Sequence, residues 1–138
     1  MVDVAHKKAT ARTARAQALV RMSAAAAEAL RQATLPKGDA LVAAQIAGIV
    51  AAKRTATLIP LAHQIELSGV DVAFAWHDDV TLRIETSART AARTGVELEA
   101  MMAAALAALT IYDMTKAIDR STTIADLRLL SKTGGASR

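Results

Sequence analysis

Two stretches of period-two alternation commit this chain to building a sheet. From Thr13 to Met22, the residues Ala14, Ala16, Ala18, Val20 and Met22 point one way. Arg15, Gln17 and Arg21 point the other, with Leu19 as the exception. That period places one face on a core, so a strand is expected despite the helix-favouring alanines. Farther on, Val70, Val72, Phe74 and Trp76 alternate with Asp71, Ala73 and Ala75. After a His77-Asp78-Asp79 turn, Val80, Leu82 and Ile84 alternate with Thr81, Arg83 and Glu85. This second stretch reads as a hairpin.

Helical signals fill the rest. Ser23 is suited to cap a short helix, Ala24 to Ala33, which Pro36 keeps from continuing far. Asp39 caps a second helix reaching about Arg54, its stripe marked by Val42, Ile46, Ile49, Val50 and Lys53. Leu58 to His63 follows as an irregular apolar segment. A long helix is expected from about Val96 to Ile118, with Leu98, Met102, Ala105, Leu109 and Tyr112 as its buried stripe. A last strand covers about Ile124 to Leu130, and Thr133 to Arg138 reads as a loose tail. The order β-α-α-β-β-α-β describes a ferredoxin-like α/β (α+β) sandwich with one extra helix. Its four-stranded, mostly antiparallel sheet carries helices on one face. The apolar side of the hairpin leads us to expect another subunit on the second face.

Length and composition narrow the function. The 138 residues suit a single domain, 1–138, large enough to bury a core without staples. Cysteine is absent, which removes disulfides, thiolate metal sites and cysteine nucleophiles. The longest apolar run, Ala100 to Leu109, is half of the roughly 20 residues a spanning helix needs. No leucine-rich signal segment follows the first residues. We therefore expect a soluble, cytoplasmic protein with no membrane partner. A formal charge of +4 favours anionic partners. With only Phe74, Trp76 and Tyr112 as aromatics, single-stranded nucleic acid is disfavoured and a small phosphorylated substrate gains.

Several polar residues carry a chemical reading beside a bland one. Helical spacing puts Asp113 and Lys116 on one face, as a surface ion pair or as an acid–base pair. Lys37-Gly38-Asp39 sets a lysine before a helix start, beside free amides suited to phosphate or simply as part of a capped terminus. Glu97 and Glu99 complement the dipole of the long helix. His63 lies in an apolar loop, where a structural histidine is the commoner case. Arg12 and Arg15 either clamp phosphate or solubilise the first strand. No His/Asp/Glu group has metal-ligand spacing.

Four blocks change this balance: Ala52-Lys53-Arg54-Thr55, Leu58 to His63, Thr94 to Ala100, and Ala108 to Ala117 with its Thr-Ile-Tyr-Asp-Met core. In that combination and order they resemble the cyclic pyranopterin monophosphate synthase family, the C protein of molybdenum-cofactor biosynthesis. The resemblance runs from Met1-Val2-Asp3-Val4 to Gly134-Gly135. It implies a lyase. The enzyme converts 3′,8-cyclo-7,8-dihydroguanosine 5′-triphosphate to cyclic pyranopterin monophosphate and releases pyrophosphate. No redox cofactor is implied, and a divalent cation with the triphosphate is compatible with the reaction. It also implies a homo-oligomer, a hexamer of three dimers with active sites at subunit interfaces.

By matching position, the resemblance makes Asp113, Lys116, Lys37 and His63 catalytic. Leu61, Ala62, His63, Leu98 and Glu99 then line the substrate pocket. Lys53, Arg12 and Arg15 hold the triphosphate. Lys37 is expected to face Asp113 and Lys116 across a subunit boundary. Ala62 and Gln64 stand where the family usually has cysteine and proline. The runner-up reading is a catalytically weak relative acting as a nucleotide-binding or assembly subunit. A basic nucleic-acid module comes third.

Overall fold

A computed structural model describes residues 1–135. Strand β1 (Thr10–Arg21) is followed by helices α1 (Ala24–Arg31), α2 (Ala40–Lys53) and the short α3 (Thr55–Leu58). Strands β2 (Leu67–Asp78) and β3 (Thr81–Ala92) form the hairpin, and helix α4 (Glu97–Thr115) leads to β4 (Thr123–Thr133). The sheet order is β2-β3-β1-β4 and every pairing is antiparallel. This is the expected α+β arrangement, with helices packed on one face of a four-stranded sheet.

Local signals explain the boundaries. Ser23 accepts the Ala26 N–H at 3.1 Å, and Asp39 accepts the N–H groups of Leu41 and Val42 at 3.1 and 3.3 Å. Both are caps for amides that lack a partner within the helix. Helix α1 ends before Pro36 acts. Ala33 adopts φ 55°, and the Thr34 and Ala33 amides donate back to the Ala29 and Leu30 carbonyls. That pattern closes a helix through one left-handed residue. The strands run longer than their alternation suggested, because added stretches such as Leu67–Gly69 in β2 and Thr86–Ala92 in β3 carry mostly small or polar residues without a clear apolar–polar contrast. The expected tail is also ordered in part: β4 continues to Thr133, and Gly134, at φ 94°, lies against the Ala11 carbonyl, where no Cβ would fit. Residues 136–138 of that tail lie outside the described residues.

The main correction concerns the helix stripes. In α2 the buried residues are Ala40, Ala44, Gly48, Ala51 and Ala52; Val42, Ile46 and Val50 point outward, with Ile46 59% exposed. In α4 the buried face is Ala100, Ala103, Ala104, Ala107, Ala108 and Ile111, while Leu98 and Leu109 are exposed and Met102, Ala105 and Tyr112 half-buried. Small residues let the two helices and the sheet approach closely. A Cβ on Gly48 would lie 3.0 Å from the Ala103 carbonyl oxygen and 2.9 Å from Val72 Cγ2. Branched side chains have no room in that seam, so they occupy the outer surface.

The sheet faces are corrected with them. Val72, Phe74 and Trp76 pack toward the helices and the core rather than toward a second subunit, and Arg31 lies 3.9 Å above the Trp76 ring. The open face instead carries ion pairs, Arg15 with Glu85 and Arg89 with Asp71, beside exposed Ala73 and Ala75. By length and composition alone α4 would pass as a membrane-spanning helix; half of it is buried inside the fold.

Candidate functional site

Helix α4 organises two clusters, one at each end. At its C-terminal end Asp113 accepts from Lys37 Nζ at 3.0 and 2.9 Å, and its Oδ1 lies 2.9 Å from Lys116 Nζ. Lys116 is there because helical spacing puts it one turn on. Lys37 is there because α2 runs antiparallel to α4, which brings the loop before Asp39 over the end of α4. All three groups are about half exposed. The hydrogen bond from Lys116, then that from Lys37, holds the Asp113 carboxyl below the usual aspartate range. Lys37 therefore meets the pair within one chain, not across a subunit boundary as expected.

At the other end the polypeptide gathers cations. Lys7, Arg12 and Lys132 line a cavity with Thr13, Thr94 and Gly95, just before the first turn of α4. Helix α4 has no side-chain cap there. Glu97 lies over Gly95 and is 3.2 Å from Lys132 Nζ. Arg12 donates from Nε to the Ala92 carbonyl at 3.0 Å, leaving the rest of its guanidinium toward the cavity wall. His63 lines an adjoining cavity with Gln64, Arg93 and Thr94, so its loop sits at this same end. Lys53, the last residue of α2, is exposed and reaches this end because α2 opposes α4. Leu61, Ala62 and Leu98 are at least partly exposed here.

Glu99, in the first turn of α4, is 4% exposed. Desolvation pushes its carboxyl above the usual glutamate range, and the charge of Glu97 adds to the shift. Its burial goes beyond the dipole-complementing role that spacing suggested. Among the described residues, no three His, Asp or Glu side chains converge on a metal-sized space.

The residues singled out from sequence thus divide. Asp113, Lys116 and Lys37 come together. Leu98 and Glu99 lie about 21 Å away along the axis, the rise of the intervening helical residues. Arg12 and His63 line cavities at that end, Leu61 and Ala62 precede His63 in its loop, and Lys53 ends α2. Arg15 joins neither, because it lies on the open sheet face with Glu85. Sequence reasoning missed Lys7, Lys132 and the cavity role of Arg93. Lys132 sat within the span of the resemblance but outside its four blocks, and no spacing rule linked it to Arg12.

Comparisons with known proteins agree with one another. The MoaC family profile matches residues 1–135. The chain is 54% identical over 137 residues to cyclic pyranopterin monophosphate synthase of Herpetosiphon aurantiacus, covering 99% of this chain and 84% of that protein. It is 51% identical over 138 residues to the synthase of Nitratidesulfovibrio vulgaris, covering 99% and 86%. With the Streptomyces coelicolor synthase it shares 50% identity over 137 residues, covering 99% and 80%.

Proposed function

The chain belongs to the MoaC family, and we propose that the clusters at the two ends of α4 act together on one nucleotide triphosphate. Its activity is that of a lyase, the synthesis of cyclic pyranopterin monophosphate in molybdenum-cofactor biosynthesis. The observation that carries the mechanistic reading is the clasp of Asp113 between Lys37 and Lys116.

An ionised aspartate between two ammonium groups fixes both, so that each can give a proton at a set position and the amine left behind can take one back. The substrate is 3′,8-cyclo-7,8-dihydroguanosine 5′-triphosphate. Its rearrangement into a pterin needs proton transfers at carbon and nitrogen, and closing the cyclic phosphate needs pyrophosphate to leave. Lys37 and Lys116 serve the transfers, with Asp113 holding their charge. Lys53 and Arg12, joined by Lys7 and Lys132, hold the triphosphate. Cations converging on a leaving polyphosphate stabilise the negative charge that develops on it. Glu99, whose carboxyl burial pushes above the usual glutamate range, lines the pocket in the first turn of α4. His63 takes or returns a proton at the base. Arg15 has no part in this reading, since it faces away.

The clusters are too far apart to touch one substrate from the same helix. A second copy of the chain supplies the missing half, which supports a homo-oligomer, a hexamer of three dimers. The outward Val42, Ile46, Val50 and Leu109 side chains offer apolar area for such contacts. Such an enzyme works in the cytoplasm, where its nucleotide substrate is made. Incubation with the cyclised nucleotide tests the reading. Equimolar pterin and pyrophosphate are expected, from an assembly larger than a monomer by sedimentation. Tight binding without turnover would favour the weak relative instead.

A further inference from the structure

The loop around His63 has Ala62 and Gln64 where cysteine and proline are usual, so its own backbone is less restrained than a proline would make it. Residues 1–5 cross over it. His63 Nε2 lies 2.5 Å from the Val2 carbonyl oxygen. A carbonyl has lone pairs only, so Nε2 is the donor in this contact, and the tautomer that fits it has its lone pair on Nδ1.

The crossing segment is itself tied. Asp3 Oδ1 accepts the Ala5 N–H at 2.9 Å, and the Lys7 N–H donates to the Val4 carbonyl at 3.0 Å. These two turns set Val2 over the histidine before β1 begins. Met1 to Ala5 enclose one cavity with His63 and Arg93, and Val4 joins the same two side chains in the cavity beside it. The imidazole is therefore shared by both spaces, with one nitrogen engaged by the backbone.

We propose that residues 1–5 are a positioning strap for His63: the Val2 carbonyl fixes the Nε2–H tautomer and so makes Nδ1 the atom that takes a proton from the substrate. This rests on His63 belonging to the site described above. In the step, the proton leaves the bound nucleotide for the Nδ1 lone pair. The resulting imidazolium keeps its Nε2–H on Val2, and the Nδ1 proton is later returned to the product or to water. Asp3 acts through the strap and is a positioning residue.

The test uses the full chain labelled with ¹⁵N-histidine. Two-bond proton–nitrogen spectra read the tautomer of each ring, with His63 assigned by its loss in His63→Ala. The unmodified protein should show His63 mainly as Nε2–H. Asp3→Ala should shift it toward a mixture and lower kcat about tenfold with KM nearly unchanged, as expected for a misplaced group. Asp3→Asn keeps the acceptor oxygen and should restore both. A mixed or Nδ1–H ring in the unmodified protein, or a tautomer indifferent to Asp3→Ala, would overturn the strap. Normal turnover by His63→Ala would instead remove His63 from the reaction, overturning its proton-accepting role while the spectra still judge the strap.

Discussion

Helix α4 carries a carboxyl group near each end, and the two behave in opposite ways. Asp113 is open to solvent, yet hydrogen bonds from Lys116 and Lys37 hold it below the ordinary aspartate range. Glu99 is buried in the first turn with no cation paired to it among the described residues, and desolvation pushes it up. Partners, more than chemical type, decide which form each prefers. One helix thus presents a carboxyl held low by lysines at one end and a carboxyl pushed up by burial at the other.

The sharpest test of the Asp113 end is its removal. Asp113→Asn and Lys116→Ala should each lower single-turnover conversion by about a hundredfold or more, with nucleotide binding far less affected. The double variant should be little worse than the worse single one, because groups acting as a unit are not additive. Near-normal conversion by folded Asp113→Asn protein would reduce this end to a surface ion pair.

The next test asks whether the two ends work in different subunits. Asp113→Asn and His63→Ala proteins, each inactive alone, should regain measurable turnover when unfolded together and co-refolded into mixed assemblies. If every site is built within one chain, mixing restores nothing.

Gly48 holds the ends in one frame by letting α2 lie directly on α4. Gly48→Ala should cost about 1–3 kcal/mol in denaturant unfolding, since the added methyl meets backbone at Ala103. An unchanged midpoint would mean that the seam can open without cost.

The smallest expected effect belongs to Glu99. A raised folded-state carboxyl contributes stability below the ordinary glutamate range and loses it as pH rises through the folded value. Glu99→Gln cannot ionise, so it should be more stable than the parent near neutral pH, by on the order of 1 kcal/mol. The advantage should vanish in acid. Asp113 behaves inversely: its lowered carboxyl gives a contribution present near neutrality and lost as pH falls through the folded value. Thermal unfolding of both variants against pH would separate the two signs.

The sheet was legible because its alternation is written in contrasting residues: Ala14, Ala16 and Val20 against Arg15 and Arg21, or Val72 and Phe74 against Asp71. The caps at Ser23 and Asp39 were legible for the same reason, since each has a polar atom with one local use. The helix faces were not. In a helix made of alanine and larger aliphatics, periodicity shows two apolar faces and does not say which is inner. Size suggested the branched residues; close packing at Gly48 selected the alanines. The pairing of Asp113 with Lys116 followed from spacing. The arrival of Lys37, from another element, depended on helix order and was accessible only through family resemblance. The cations at the opposite end converge from strand, loop and C-terminal positions, and no local pattern links them.

The central position of β1 has a consequence for how the chain reaches its native state. Thr10 lies opposite Ala92, and Thr13 lies opposite Thr133. The first strand therefore acquires one neighbour from the middle of the sequence and its other from the far end. Such pairings raise contact order, and the closure of long loops must precede their reward, which slows folding. Until β4 docks, one edge of β1 is an open ladder able to pair with a foreign strand. Folding intermediates of this protein should accordingly be most prone to aggregation before that last strand arrives, whatever the stability of the finished molecule.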